Sequence, residues 1–182
     1  MAPVRRSKVR LRRATVADID LLVAHRLAMF REMGGRTPRT IRRHGAPYLA
    51  WLAPRLVRAE VVAWVAEDSR CEPLGSGAVW FQPTHPGPGS VALRTPYVLS
   101  MYTAPPGRRQ GVATSIVRRA TSLSRRLGYR RVVLHATPAG RPVYERLGFR
   151  PTSEMRLLLD PSDRARDRRR RIREATASGG PL

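Results

Sequence analysis

Residues 108–114, RRQGVAT, follow a β-rich run and lead into a segment of helical apolar spacing. Gly111 and Ala113 leave the first backbone N–H groups of such a helix unshielded, and those donors have no partner within the helix. The macrodipole is positive at the same place, so the helix start is an anion site that a pyrophosphate fits. Arg108 and Arg109 add cationic donors, and the Thr114 hydroxyl adds one more bond. The turn is not a Walker A loop, because no lysine follows the glycine, nor is it a GxGxxG dinucleotide turn. On spacing alone it reads equally as an ordinary glycine-led helix start.

A second chemistry-bearing stretch is 134–149, LHATPAGRPVYERLGF. Its helical part, 140–147, is too short to stand on propensity and must be held by packing Val143, Leu147 and Phe149. Tyr144 lies on the side of Val143 and Leu147, one turn before the chain reversal at Gly148. A phenol in that position is either a proton donor or a core residue with its hydroxyl satisfied.

The elements that must position these residues are legible in outline. Alternation over 8–13 reads as a short strand, and Thr15 with Asp18 and Asp20 opens a helix carrying Ile19, Leu22, Val23, Leu27 and Phe30. Thr37-Pro38 starts a second helical stretch to about Arg58, broken or bent by Gly45 and two prolines. Residues 60–67 and 77–82 read as an antiparallel hairpin, and 97–103 as a strand. The helix over 111–127 has the stripe Val112, Ile116, Ala120, Leu123 and Leu127, with Gly128 at its end. Strands are expected at 131–136 and 156–159. The crossover through the 111–127 helix makes the 97–103 and 131–136 strands parallel. The fold class is therefore α/β, a mixed sheet flanked by helices.

Length and charge bound the answer. A chain of 182 residues suits one domain with a full-sized core, read as 1–160 with a basic tail at 161–182. Lys+Arg 35 against Asp+Glu 13 leaves a net charge of +22, and every one of those cations except Lys8 is arginine. The tail's seven Arg against Asp163, Asp167 and Glu174 contribute +4, so +18 stays on the domain. Such an arginine-rich surface attracts polyanions and steers anionic ligands, unless it reflects compositional bias alone. Cys71 stands alone, which excludes an intrachain disulfide and fits a reducing compartment. The basic N-terminus runs into no apolar h-region and no long apolar stretch appears, so the expectation is a cytoplasmic protein without membrane association.

Arg108-x-x-Gly111-x-Ala113 matches the R/Q-x-x-G-x-G/A pyrophosphate motif of the GCN5-related N-acetyltransferase (GNAT) family, and YERLGF resembles that family's second cofactor motif. The order of elements from about residue 8 to 160 is similar too. LSMYT, RRQGVA and PTSEMRL further resemble a bacterial-type branch whose acceptors are mostly unassigned. Two positions depart from the pattern: Ala113 replaces the last motif glycine, and Thr137 stands where the family often has asparagine.

The resemblance implies the acyl-CoA N-acyltransferase fold, with acetyl-CoA in a wedge where the strands at 97–103 and 131–136 splay apart. The backbone of Met101, Tyr102 and Thr103 would pair with the pantetheine arm as an added strand. Arg108 and the amides of Arg109, Gln110, Gly111, Val112, Ala113 and Thr114 would take the pyrophosphate, with Thr137 and Gly140 completing the cofactor site. An amine would attack the thioester directly, with Tyr144 protonating the leaving thiolate. For the base, the carboxylates of Glu32 and Glu154 are the candidates, with His25 and His135 as alternatives. Met29, Met33, Trp51 and Trp80 either wall an apolar acceptor pocket or pack in the core.

The implied activity is acetyl transfer to a primary amine on a small molecule. Two rivals remain: a nucleic-acid- or ribosome-associated module on the same fold, and an acetyltransferase of a protein amine on a polyanion-bound partner. No aromatic-rich motif for single-stranded RNA accompanies the charge, and no metal-ligand spacing is present. The sequence admits a homodimer.

Overall fold

The computed structural model describes residues 9–87, 91–155, 157, 159, 160, 164, 167, 168 and 172. The order is β1 (Arg10–Arg13), a 3-10 turn (Val16–Asp18), α1 (Ile19–Met33), α2 (Pro38–Arg43), α3 (Gly45–Val57), β2 (Val61–Glu67), β3 (Pro73–Pro83), β4 (Arg94–Thr103), a 3-10 turn (Pro105–Gly107), α4 (Val112–Arg126), β5 (Val133–Leu134) and α5 (Arg141–Arg146). The sheet runs β1-β2-β3-β4-β5, antiparallel except for the parallel β4–β5 pair.

Both faces of this sheet are covered, which is why VVAWVA in β2 is apolar without interruption. Val62, Trp64 and Ala66 face α4 and pack with Val112, Ile116 and Ala120. Val61, Ala63 and Val65 face the other way, onto Leu22, Tyr48 and Leu52 of α1 and α3. Gly75 of β3 is where the sheet meets the end of β4 most tightly: a Cβ there would stand 2.5 Å from the Tyr102 carbonyl oxygen and 3.0 Å from Val112. The missing side chain lets α4 begin directly against the end of β4.

The α4 stripe is buried through Val112, Ile116 and Ala120, but Leu127 is 56% exposed because the helix ends at Arg126 and the chain turns away. The strand expected at 131–136 is ladder-paired only at Val133–Leu134. Of the strand expected at 156–159, Arg156 and Leu158 lie outside the described residues, while Leu157 and Leu159 belong to no strand and are 78% and 80% exposed. Apart from Arg164, Asp167, Arg168 and Ile172, the basic tail of 161–182 also lies outside the described residues.

One ion-pair cluster ties the first elements to the sheet. Arg12 Nη1 and Nη2 donate to the two Asp18 carboxylate oxygens at 2.8 and 2.7 Å, and its Nε donates to Glu67 at 2.6 Å. Arg12, aided by the Thr15 amide, holds the Asp18 carboxyl at about 2 against an ordinary 3.8, despite the cost of burial. A carboxyl lowered by folding stabilises above its ordinary value, and that contribution disappears as pH falls from 3.8 through about 2. Asp18→Asn is therefore expected to cost about 2 kcal/mol at neutral pH and to flatten the acid side of the stability curve. Urea titrations across pH check this; parallel acid limbs for parent and variant would count against the cluster.

Candidate active site

Parallel pairing between β4 and β5 consists of Tyr97 with Val133 and Val98 with Leu134. Beyond Val98, β4 continues five residues to Thr103 with β3 on one edge and no β5 ladder on the other. That edge presents the backbone of Met101 and Thr103 to an added extended chain. The divergence coincides with a bulge: Ser76 pairs with Tyr102 and Ala78 with Leu99, so Ser100 and Met101 together oppose Gly77. Ser100 holds φ +52, a left-handed conformation uncommon for a residue with a side chain. Its hydroxyl is pinned from α1 and α3, receiving Arg26 Nη1 at 2.7 Å and sharing a 3.0 Å bond with the Tyr48 hydroxyl.

The end of β4 runs through Pro105–Gly107 into the start of α4. Arg109 at φ +62 and Gly111 at φ +80 turn the chain so that the helix's first internal bond is Ser115 N to Gly111 O, 2.9 Å. The Val112, Ala113 and Thr114 amides precede that bond and are free to serve an anion. Arg108 Nε donates to the Thr103 carbonyl at 3.3 Å, which keeps the guanidinium beside the same turn. Gln110 donates from Nε2 to the Pro106 carbonyl at 2.6 Å, leaving its Oε1 buried without a donor. Free amides, nearby arginine and an orphaned acceptor suit a ligand carrying both phosphate oxygens and N–H or O–H groups, as a CoA thioester does.

Across the wedge, Thr137, Gly140 and Tyr144 form one unit. The Gly140 amide donates to Thr137 Oγ1 at 3.2 Å, and a Cβ on Gly140 would reach 3.0 Å from the Tyr144 ring. Thr137 thus caps the turn into α5, and Gly140 makes room for the phenol. The Tyr144 ring packs edge-on against Phe149 at 6.0 Å, and among the described residues its hydroxyl makes no hydrogen bond. Burial first, then the nearby Tyr97 phenol, pushes the Tyr144 hydroxyl above the ordinary phenol range and keeps its proton in place at neutral pH.

The four candidate bases fall in different surroundings. Glu32, at the end of α1, receives Arg108 Nη2 at 2.6 Å and the Tyr102 hydroxyl at 3.4 Å. His25 is buried with Nδ1 2.8 Å from Ser76 Oγ, and burial pushes its imidazole below the ordinary range. Glu154 and His135 come together, with His135 Nε2 2.7 and 2.8 Å from the two carboxylate oxygens. His135 Nδ1 lies 2.6 Å from the Tyr97 hydroxyl, so a phenol, an imidazole and a carboxylate form a chain at the closed end of the wedge. Tyr97, Arg26, Tyr48 and Ser100 are functional candidates that spacing alone did not single out. Of the suggested pocket wall, Trp51 stacks on Tyr48 at 5.7 Å and meets Trp80 edge-on at 5.1 Å beside the core, while Met33 is exposed.

A mixed sheet with a wedge between its parallel strands and a helix start with unbonded amides at the wedge's mouth is the arrangement of an acyl-CoA acyltransferase. A family model described as Acetyltransferase (GNAT) family matches residues 27–149. The chain superposes on a GCN5-related N-acetyltransferase from Ralstonia eutropha with TM-score 0.77 and 32% identity, covering 84% of this chain and 99% of that one. A predicted acetyltransferase with acetyl-CoA from Clostridium acetobutylicum gives TM-score 0.74 and 27% identity, over 83% of this chain and 96% of that one. An aminoglycoside N-acetyltransferase in complex with CoA, at 15% identity and TM-score 0.66 over 88% and 99% of the two chains, shares the fold. Comparison with curated proteins found no match.

The chain belongs to the GNAT family, and it is an acetyltransferase that takes its acetyl group from acetyl-CoA. Among the described residues, no helix is long and apolar enough to cross a membrane.

Proposed function

We propose that the protein acetylates a primary amine on a small molecule by direct attack, in a cytoplasmic setting, using the wedge between β4 and β5. The observation that carries this reading is the chain Tyr97–His135–Glu154 at the point where the two strands part, with the Tyr144 phenol beside it. Acetyl-CoA supplies the activated thioester. Backbone groups of Met101 and Thr103 hold its extended arm, with Tyr102 between them. Arg108 and the 109–114 turn hold the phosphates, and Thr137 and Gly140 shape the opposite wall.

With His135 as the Nε2–H tautomer, Nε2 donates to Glu154 and Nδ1 accepts the Tyr97 hydroxyl. The acceptor ammonium passes a proton to the Tyr97 oxygen as the Tyr97 proton moves to His135 Nδ1, and Glu154 stabilises the imidazolium. Tyr144 then gives its proton to the departing thiolate, and the proton shed by the nitrogen as it becomes an amide returns to the Tyr144 oxygen. Holding the amine and thioester together supplies most of the acceleration. Glu32, tied to Arg108, orients that guanidinium rather than acting as the base.

His135→Gln should lower kcat by about 10²-fold with little change in KM for acetyl-CoA. Much of the rate should return as pH rises and the amine loses its proton unaided. A variant with the parent's pH–rate profile would remove His135 from the chain.

The net charge of +22 favours a second reading, in which the acceptor is a protein amine on a polyanion-bound partner or the surface itself binds nucleic acid. Rates on small primary amines and on basic polypeptides, each measured with rising salt, separate the two. A small-molecule enzyme keeps its kcat as salt rises, because screening slows only encounter. Activity confined to polypeptides, or tight RNA binding that falls steeply with log salt, would favour the second reading.

A further inference from the structure

Arg26 is a cation placed where a surface cation has no reason to be. It lies half-buried on the inner side of α1, with its guanidinium carbon 4.3 Å from the Tyr48 ring centroid and 4.9 Å from that of Phe30. Its Nη1 donates to Ser100 at the β4 bulge, one residue beyond the leucine that follows the last β4–β5 pair. No carboxylate among the described residues bonds or ion-pairs with it. Other arginines have carboxylate partners: Arg108 with Glu32, Arg12 with Asp18 and Glu67, and Arg55 with Glu60.

A second guanidinium stands close by. Arg36 lies over the Phe30 ring at 5.1 Å and also has no carboxylate partner among the described residues, and its charge weighs against that of Arg26. His44 approaches the same Phe30 ring at 6.0 Å. Burial is the largest influence opposing the Arg26 charge, and the Tyr48 and Tyr97 phenols only partly offset it. A half-buried guanidinium with hydroxyl and ring partners and no counterion is an incomplete ion pair.

The unused part of Arg26 has a definite shape. With Nη1 committed to Ser100 and the Tyr48 hydroxyl also beside the guanidinium, Nε and Nη2 remain without a carboxylate, and together they form a side-on fork. That fork matches the two oxygens of a carboxylate. Tyr97, whose oxygen takes the acceptor's proton, lies on β4 three residues before the Ser100 that holds Arg26, so an acid group on Arg26 and an amine toward Tyr97 belong to one small molecule. Phe30 and Tyr48 give that molecule apolar walls.

We propose that Arg26 is the acceptor's anchor and that the substrate class is a carboxylate-bearing primary amine of amino-acid type, with Arg36 adding positive potential at the entrance. The inference rests on the acetyl-transfer reading, so its test has one arm that needs turnover and one that does not. In the first, the full chain and acetyl-CoA are given pairs of amines differing only by the carboxylate: phenylalanine and phenethylamine, leucine and isoamylamine, lysine and cadaverine. In the second, N-acetylphenylalanine and N-acetylphenethylamine are titrated into the CoA-loaded protein by calorimetry.

The carboxylate member of at least one amine pair, and N-acetylphenylalanine in the titration, should be favoured by about 10- to 100-fold. Arg26→Met should bring both ratios close to one, and Arg26→Lys, which keeps the charge but loses the fork, should leave an intermediate ratio. Acetylation of the amines with no preference for the acid overturns the anchor and leaves acetyl transfer standing. A binding preference that disappears in Arg26→Met, without turnover of any pair, supports the anchor and counts against the catalytic reading. Equal affinities for the two acetylated probes, or no binding of either, overturn the anchor.

Discussion

Gly111→Asp is expected to abolish measurable acetyl-CoA binding while leaving the fold in place. Gly111 caps α4 at φ +80, and nothing lies within 4 Å of where its Cβ would be. The new carboxylate therefore clashes with no core residue and projects at the helix start, among the Val112–Thr114 amides that would receive phosphate oxygens. Its charge both repels the pyrophosphate and occupies donors the pyrophosphate needs. The left-handed backbone adds a cost of about 1 kcal/mol, which aspartate tolerates better than most residues. Gly111→Asn carries the same strain without the charge, so it should bind acetyl-CoA measurably, though more weakly than the parent. Calorimetry on the three proteins, with circular dichroism to confirm folding, decides the matter, and unchanged affinity in Gly111→Asp would remove this turn from the site.

The second large effect belongs to Tyr144. Tyr144→Phe keeps the ring contact with Phe149 and the fit over Gly140, and removes only the hydroxyl. If that hydroxyl protonates the leaving thiolate, kcat should fall by about 10²-fold with KM for acetyl-CoA nearly unchanged. Because burial raises the phenol above its ordinary range, the parent's activity should not decline through deprotonation of Tyr144 below that range. Acceptors whose own chemistry is slow would show the loss most clearly. A variant as active as the parent would make Tyr144 a packing residue that happens to face the wedge.

Much of this arrangement was legible in the residues before their positions were known. Gly111 and Ala113 ahead of the Val112, Ile116 and Ala120 stripe announce a helix start free to bind an anion, and α4 begins there. Thr15 and Asp18 mark the way into α1 because their effects are local. Residues that meet through tertiary structure left no such trace. Arg26 and Ser100 are 74 positions apart and Tyr97 and His135 are 38, so neither pair shares a helical or strand period that could reveal it. The β4 bulge was equally hidden, because VLSMYT reads as plain strand and Ser100 is not a residue whose type demands a positive φ. The strand expected at 156–159 shows the opposite failure: a run of apolar residues promises burial, but only a neighbouring ladder provides it, and Leu157 and Leu159 are exposed.

The most direct test of the acetyl-CoA site is a crystal structure of the protein with acetyl-CoA. The extended arm should lie along the free edge of β4, bonded to backbone groups of Met101 and Thr103. Its pyrophosphate should sit on the Val112–Thr114 amides and its thioester should lie within reach of the Tyr144 hydroxyl. Acetyl-CoA bound elsewhere, or β4 and β5 paired beyond Val98 and Leu134 so that the wedge is closed, would contradict the assignment.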